Sequence, residues 1–211
     1  MNKEIFIQEL KKLNIKITEE QLNKLELFYD LLIKWNDLIN LTRITKKEDV
    51  YLKHFYDSLT LTKVVNLNNI NTLCDVGTGA GFPGIVLKIL YPNLKITLID
   101  SLQKRVNYLN EIIKELKLDN IKAIHIRGED YHEKFDLVTS RAVANIEKLV
   151  NYTMHLIEKK GLFIAMKGDI SKELTEEVKE KIEKKYKIIE INEFLLPIED
   201  SKRSLLVMKN K

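Results

Sequence analysis

CDVGTGAGFPG, residues 74–84, contains Gly77, Gly79, Gly81 and Gly84, four of the seven glycines in a chain of 211 residues. Glycine is required where the backbone takes positive φ or where a ligand comes too close for a Cβ. The β-branched run TLCDV precedes the stretch and a helix is predicted over residues 83–90 after it. The whole therefore reads as strand, turn and helix, the arrangement that receives nucleotides in open α/β sheets. Two ligands compete for it. GAGFPG fits the dinucleotide pattern G-x-G-x-x-G, and Asp100 follows at about the 20-residue spacing of a ribose-binding acid, which supports an NAD-dependent oxidoreductase. In that pattern, however, the first glycine comes directly off the strand. Here Asp75 closes the strand, and a carboxylate there opposes a pyrophosphate and suits a cationic ligand.

The spacing D-x-G-x-G-x-G, from Asp75 through Gly77 and Gly79 to Gly81, resembles motif I of class I S-adenosylmethionine methyltransferases. Their cofactor carries an ammonium and a sulfonium but no phosphate. Later residues fit the same arrangement. Asp100, with Ser101 beside it, ends the run KITLID, where a carboxylate can accept both ribose hydroxyls. Gly128 and Glu129 follow KAIHIR, where an adenine ring could lie on the backbone with a polar group at its edge. Taken singly, Asp100 reads as a helix cap and Glu129 as a loop acid; at consecutive strand ends they read as a binding crevice.

Outward from this turn, the chain divides by pattern near residue 70. Before it only helices are expected. Thr18 with Gln21 fits a capping box ahead of Leu22, Leu25, Phe28, Tyr29, Leu32 and Ile33, and Thr45 with Glu48 repeats the signal ahead of Val50, Leu52, Phe55, Tyr56 and Leu59. WNDLINLTRIT reads as the connection between the two helices. After residue 70, seven short apolar runs alternate with helical stretches predicted over residues 83–90, 103–116, 145–157 and 170–184. Only FLLPIEDSKR separates the last two runs, too short for a helical crossover, so they form an antiparallel pair at one sheet edge. The expected fold is α/β, a mostly parallel seven-stranded, Rossmann-like sheet over residues 71–211 with a helical extension over residues 1–70.

Composition narrows the function classes. No apolar run reaches the roughly 20 residues that span a bilayer, and no signal peptide is recognisable, which leads to a cytoplasmic expectation. Cys74 has no intrachain partner, and the four histidines lack metal-ligand spacing, so no metal is expected. A net charge of +4 permits nucleic-acid binding without demanding it. Residues 1–70 carry eleven basic and ten acidic side chains, so RNA contact would rest on local patches: Arg43, Lys46, Lys47 and Lys53 on one side, Lys167 and Arg203 on the other.

The methyl acceptor leaves its own signature. Cytosine C5 chemistry requires a cysteine nucleophile, but Cys74 lies inside a strand. TSRAVAN stands where exocyclic-amine enzymes carry an Asn-Pro-Pro-Tyr-like segment. Guanine N7 has a free in-plane lone pair and needs no general base, so alignment supplies the rate, with effective molarities of roughly 10⁵ M in well-oriented systems. Arg141 and Lys167, at the ends of the fourth and fifth strands, are the candidates to reach guanine O6.

KWNDLINLTRI, KHFYDSL, DVGTGAGFPGI, LIDSLQKRVNYL, SRAVANIEKL and the MKG near residue 167 together resemble the RsmG (GidB) family of bacterial 16S ribosomal RNA guanine-N7 methyltransferases. The resemblance implies S-adenosylmethionine as cofactor and a guanosine in the 530-loop region as acceptor. It places cofactor contacts on Gly77, Phe82, Gly128, Glu129 and Arg141. The partner would be 16S ribosomal RNA or the small subunit, met by a monomer. A noncatalytic RNA-binding module on the same fold is the remaining alternative.

Overall fold

The computed structural model describes residues 1–211. The apolar runs become β1 (Thr72–Val76), β2 (Lys95–Asp100), β3 (Ile121–His125), β4 (Phe135–Arg141), β5 (Ile157–Lys167), β6 (Tyr186–Leu195) and β7 (Lys202–Asn210). They form one sheet in the order β3-β2-β1-β4-β5-β7-β6. The first five strands are parallel, and β7 runs antiparallel between β5 and β6. A dinucleotide fold has the order 3-2-1-4-5-6 with no strand inserted in this way, so the topology sets aside the NAD reading of GAGFPG.

Short helical pieces follow a long one in the extension. Helices α1 (Lys3–Lys12) and α2 (Glu19–Ile39) lead into α3 (Lys47–Val50), a π-helical turn (Tyr51–Tyr56), α4 (Asp57–Leu59) and a 3₁₀ turn (Thr60–Lys63). In the sheet region stand α5 (Gly84–Leu90), α6 (Gln103–Glu115), α7 (Ile146–Thr153) and α8 (Glu176–Glu183). No helix is long and apolar enough to cross a membrane.

The capping box at α2 is present: Gln21 N–H donates to Thr18 Oγ1 (3.2 Å) and Thr18 N–H to Gln21 Oε1 (2.9 Å). Gln21 Nε2 also donates to the carbonyls of Ile89 and Leu90, so one residue caps α2 and supplies donors to the end of α5.

Several boundaries differ from the sequence expectation. Half of WNDLINLTRIT is helix, because continuing α2 packs Trp35 on Tyr108 (5.8 Å between ring centres) and lays Ile39 on the core. The helix stops at Asn40, in the left-handed conformation with φ 51°. Thr45 caps nothing; the cap residue is Lys46, without a side-chain bond. Thr175, not Ile170, starts α8, its hydroxyl accepting from Val178 N–H, while Ile170 and Leu174 are buried in a turn before it. Ile157 belongs to β5 rather than to the preceding helix.

One apolar cluster runs from Phe6, Phe28 and Phe55 of the extension through Ile85, Leu98 and Val207 of the sheet region. A second, under α7 and α8, fills the other face of the sheet. The two sequence regions therefore share a core.

Candidate active site

The glycine turn is shaped from beneath. Gly77 and Thr78 N–H both donate to Ile99 O (2.8 and 3.1 Å), hooking the turn onto β2. Gly77, Gly79 and Gly81 have φ of 70°, 60° and 92°, a region that favours glycine. Asp75 is fully buried; its Oδ2 accepts from Thr78 Oγ1 (2.7 Å) and Gly84 N–H (2.9 Å), while Oδ1 has no partner. Burial pushes its carboxyl up to about 6. Asp75, expected to face a cationic ligand, lies outside the lining of both cavities described below and ties β1 to the start of α5.

A cavity of about 200 Å³ opens at the carboxyl ends of β1, β2 and β3. Gly77, Asp100, Ser101, Gly128 and Glu129 all line it, so five of the predicted residues converge. Asp100 is held by Gly79 N–H on Oδ2 (3.0 Å), Leu102 N–H on Oδ1 (2.9 Å) and Arg105 Nη1 (3.3 Å). Its Oδ1 keeps capacity for a second donor. Apolar Ile99 and Ile126 complete walls suited to a flat ring beside a hydroxylated one. Gly128 also answers to packing, since a Cβ there would lie 2.9 Å from Val76 Cγ1 and 3.1 Å from Tyr152 O. Gly79 and Gly81 do not line the cavity; Gly79 acts through its N–H on Asp100, and Gly81 packs against Ile85 and Leu109.

A second cavity, of about 280 Å³, lies between the ends of β4, β5 and β7 and the helical extension. Arg141, Lys167 and Arg203 face Lys53, His54 and Asp57 across it. Arg141 Nη1 donates to Lys53 O (3.0 Å) and Asp57 Oδ2 (3.3 Å), and Nη2 lies 3.1 Å from His54 Nδ1. Arg203 Nε donates to Asp57 Oδ1 (3.1 Å), so one buried carboxylate holds two guanidiniums. Both nitrogens of the His54 ring are engaged: Nδ1 meets Arg141 Nη2 and Lys53 O (3.2 Å), and Nε2 lies 3.0 Å from Thr42 Oγ1. Burial, reinforced by the Arg141 charge, lowers His54 to about 3, so the imidazole is neutral.

Phe82 lies under this network. The His54 ring stacks on it (4.4 Å, 16°), the Arg141 guanidinium sits 5.1 Å from its centre, and Phe28 packs at 5.3 Å. The residue expected to touch cofactor instead lines neither cavity and joins the glycine turn to the extension.

Lys167 is buried. Its Nζ donates to Ala144 O and to Glu173 Oε2 (2.8 Å). The basic grouping expected for RNA is largely neutralised: Lys47 pairs with Glu26, Lys53 with Asp49 and Glu199, and Arg203 with Asp57. Arg43 and Lys46 are exposed and carry no ion pair. His54 and Asp57 line the second cavity although the sequence reading did not single them out. The signal was present in KHFYDSL, where a His and an Asp three apart interrupt an otherwise apolar helical face.

Comparison with solved structures gives the same fold at low identity. A SAM dependent methyltransferase from Aquifex aeolicus superposes with TM-score 0.57 at 16% identity, covering 77% of this chain and 93% of that one. The ribosomal protein L11 methylase of Lactobacillus delbrueckii subsp. bulgaricus superposes with TM-score 0.57 at 17% identity, covering 80% and 81%. The sheet is thus that of the class I S-adenosylmethionine methyltransferases. By sequence, the Bacillus subtilis protein named Ribosomal RNA small subunit methyltransferase G is 43% identical over 99% of this chain and 90% of its own length. The protein of that name from Lachnoclostridium phytofermentans is 47% identical over 97% and 87%. The GidB family profile, described as rRNA small subunit methyltransferase G, matches residues 21–204, and the chain belongs to that family.

Proposed function

We propose that the protein transfers a methyl group from S-adenosylmethionine to N7 of a guanosine in the 530-loop region of 16S ribosomal RNA, acting as a cytoplasmic monomer. The observation that carries this reading is the pair of cavities at adjacent strand ends, one walled for a nucleoside and the other by cations around a neutral histidine. When bound, S-adenosylmethionine supplies an activated methyl group. Asp100 and Ser101 would hold its ribose, Gly128 and Glu129 its adenine edge, and the Gly77–Gly79 backbone its amino-acid end, with Gly81 and Asp75 fixing the turn. Residues 1–70 serve as the lid of the acceptor cavity and residues 71–211 as the cofactor platform.

N7 attack requires donors to hold the base and no group to remove a proton. The second cavity matches that requirement: both Asp57 oxygens and both His54 nitrogens are engaged, so neither is free to serve as a base. Arg141 would place a donor beside the acceptor edge of guanine, which presents O6 and N7 together. Phe82 steadies Arg141 from below and keeps water from beneath it.

The test is to incubate the protein with tritiated S-adenosylmethionine and small-subunit RNA and map the label, then repeat with 7-deazaguanine at that nucleotide. Label is expected at one guanosine and none in the 7-deaza RNA. Label retained in the 7-deaza RNA overturns the N7 reading.

A further inference from the structure

The two cavities are separated by four residues. Residues 142–145 leave β4 directly after Arg141; Ala142 lines the acceptor cavity and Val143 the cofactor cavity. Ala142 has φ 55°, a conformation that costs a non-glycine residue energy and persists only where the surroundings hold it. Val143 Cγ2 lies 2.5 Å from the point a Cβ on Gly77 would occupy, so its side chain rests on the glycine at the mouth of the turn. Three anchors hold the segment. Ala142 N–H donates to Met166 O (3.4 Å), Asn145 caps α7 by accepting from Lys148 N–H (3.0 Å), and between them the Lys167 ammonium grips Ala144 O.

We propose that Lys167 is a positioning residue: by clamping the Ala144 carbonyl against Glu173, it sets the height of Val143 over Gly77 and so the passage between the two cavities. The inference rests on the reading that one cavity takes the cofactor and the other the base. A methyl group passing from one to the other must cross this partition, so its height bears on cofactor affinity before any RNA is present. The alternative, a direct bond from Lys167 to guanine O6, uses an ammonium whose side chain is 8% exposed and already committed to two oxygens. Glu173 neutralises the buried charge, and Glu173→Gln weakens the clamp without removing it.

The experiment uses the full chain without RNA. In Lys167→Met, amide hydrogen exchange at residues 142–145 is expected to accelerate, and calorimetry is expected to show S-adenosylmethionine binding weakened about tenfold, the scale of a lost charged hydrogen bond. Lys167→Arg should recover part of the affinity. Val143→Gly removes the side chain through which the clamp acts, so in that background Lys167→Met should have little further effect, a non-additivity that a direct contact with guanine does not produce. If Lys167→Met is unfolded, Glu173→Gln should show the same changes at smaller amplitude. Unchanged exchange and unchanged cofactor affinity in folded Lys167→Met, with transfer slowed, overturns the clamp and assigns Lys167 to the base. Additive effects in the double variant overturn it also. Accelerated exchange in a protein whose wild type binds no S-adenosylmethionine supports the clamp and removes the cofactor reading instead.

Discussion

His54 is held between a phenyl ring and a guanidinium, and its protonation is linked to folding. Its value falls from 6.5 to about 3 through burial and then Arg141, so between those values the unfolded chain binds a proton that the folded chain does not. Its contribution is present above 6.5 and lost as pH falls through the window toward 3. His54→Phe keeps a ring on Phe82 and removes the titration. Urea melts should show the variant gaining on the wild type between about pH 7 and about pH 5. Asp75 has the opposite sign. Its carboxyl is raised from 3.8 to about 6, so the folded chain holds a proton the unfolded one has lost, and stability falls as pH rises through that interval. Asp75→Asn should therefore gain on the wild type from about pH 4 to about pH 7, read from the same melts. If both variants shift in one direction, the burial argument fails.

The glycine turn and α5 behave as one element because Phe82 and Gly84 are packed from both sides. Phe82→Ala should cost about 3–5 kcal/mol of folding stability, the range for emptying a buried aromatic site, and should be measured by denaturant unfolding. Gly84 is constrained by space: a Cβ would lie 2.2 Å from Leu98 Cδ2 and 3.0 Å from Asp75 Oδ2. Gly84→Ala should lower the melting temperature even in the absence of cofactor. TLCDV and KITLID coincide with β1 and β2 because strand runs bounded by polar residues are local signals. The convergence of Asp100 and Gly128 on the first cavity was legible for the same reason, since strand-end positions follow once the strands are placed. The second cavity was not. Arg141 meets Asp57 across 84 residues of sequence, and no periodicity records such a contact. The packing of Phe82 was hidden for a related reason: its motif position adjoins the turn, and its ring is met by Phe28 and His54 from the extension.

Around the second cavity, Lys53, Arg141, Lys167 and Arg203 are all ion-paired, and this shapes how RNA can be held. Arg43 and Lys46 are exposed, unpaired and on either side of Ile44, which lines the acceptor cavity. Replacing both with Glu should weaken RNA binding and lower the salt slope by about 0.7 per lost contact to single-stranded RNA. Calorimetry should find cofactor affinity unchanged; a loss there would mean that the pair supports the fold. The shared core predicts that deleting residues 1–70 exposes Ile85 and Leu98 and yields no cooperative unfolding transition.

The bond from Arg203 to Asp57 joins residues 146 apart, and it sets an order in time. A ribosome delivers Lys53, His54 and Asp57 early and the strand bearing Arg203 and Leu205 last. Every residue lining the first cavity, from Val76 to Tyr152, precedes β7 in the chain, whereas the second cavity is finished only when β7 enters the sheet. Under the proposed function, the residues for the cofactor are therefore all made before those for the base, and a chain cut before β7 is expected to transfer no methyl group to RNA.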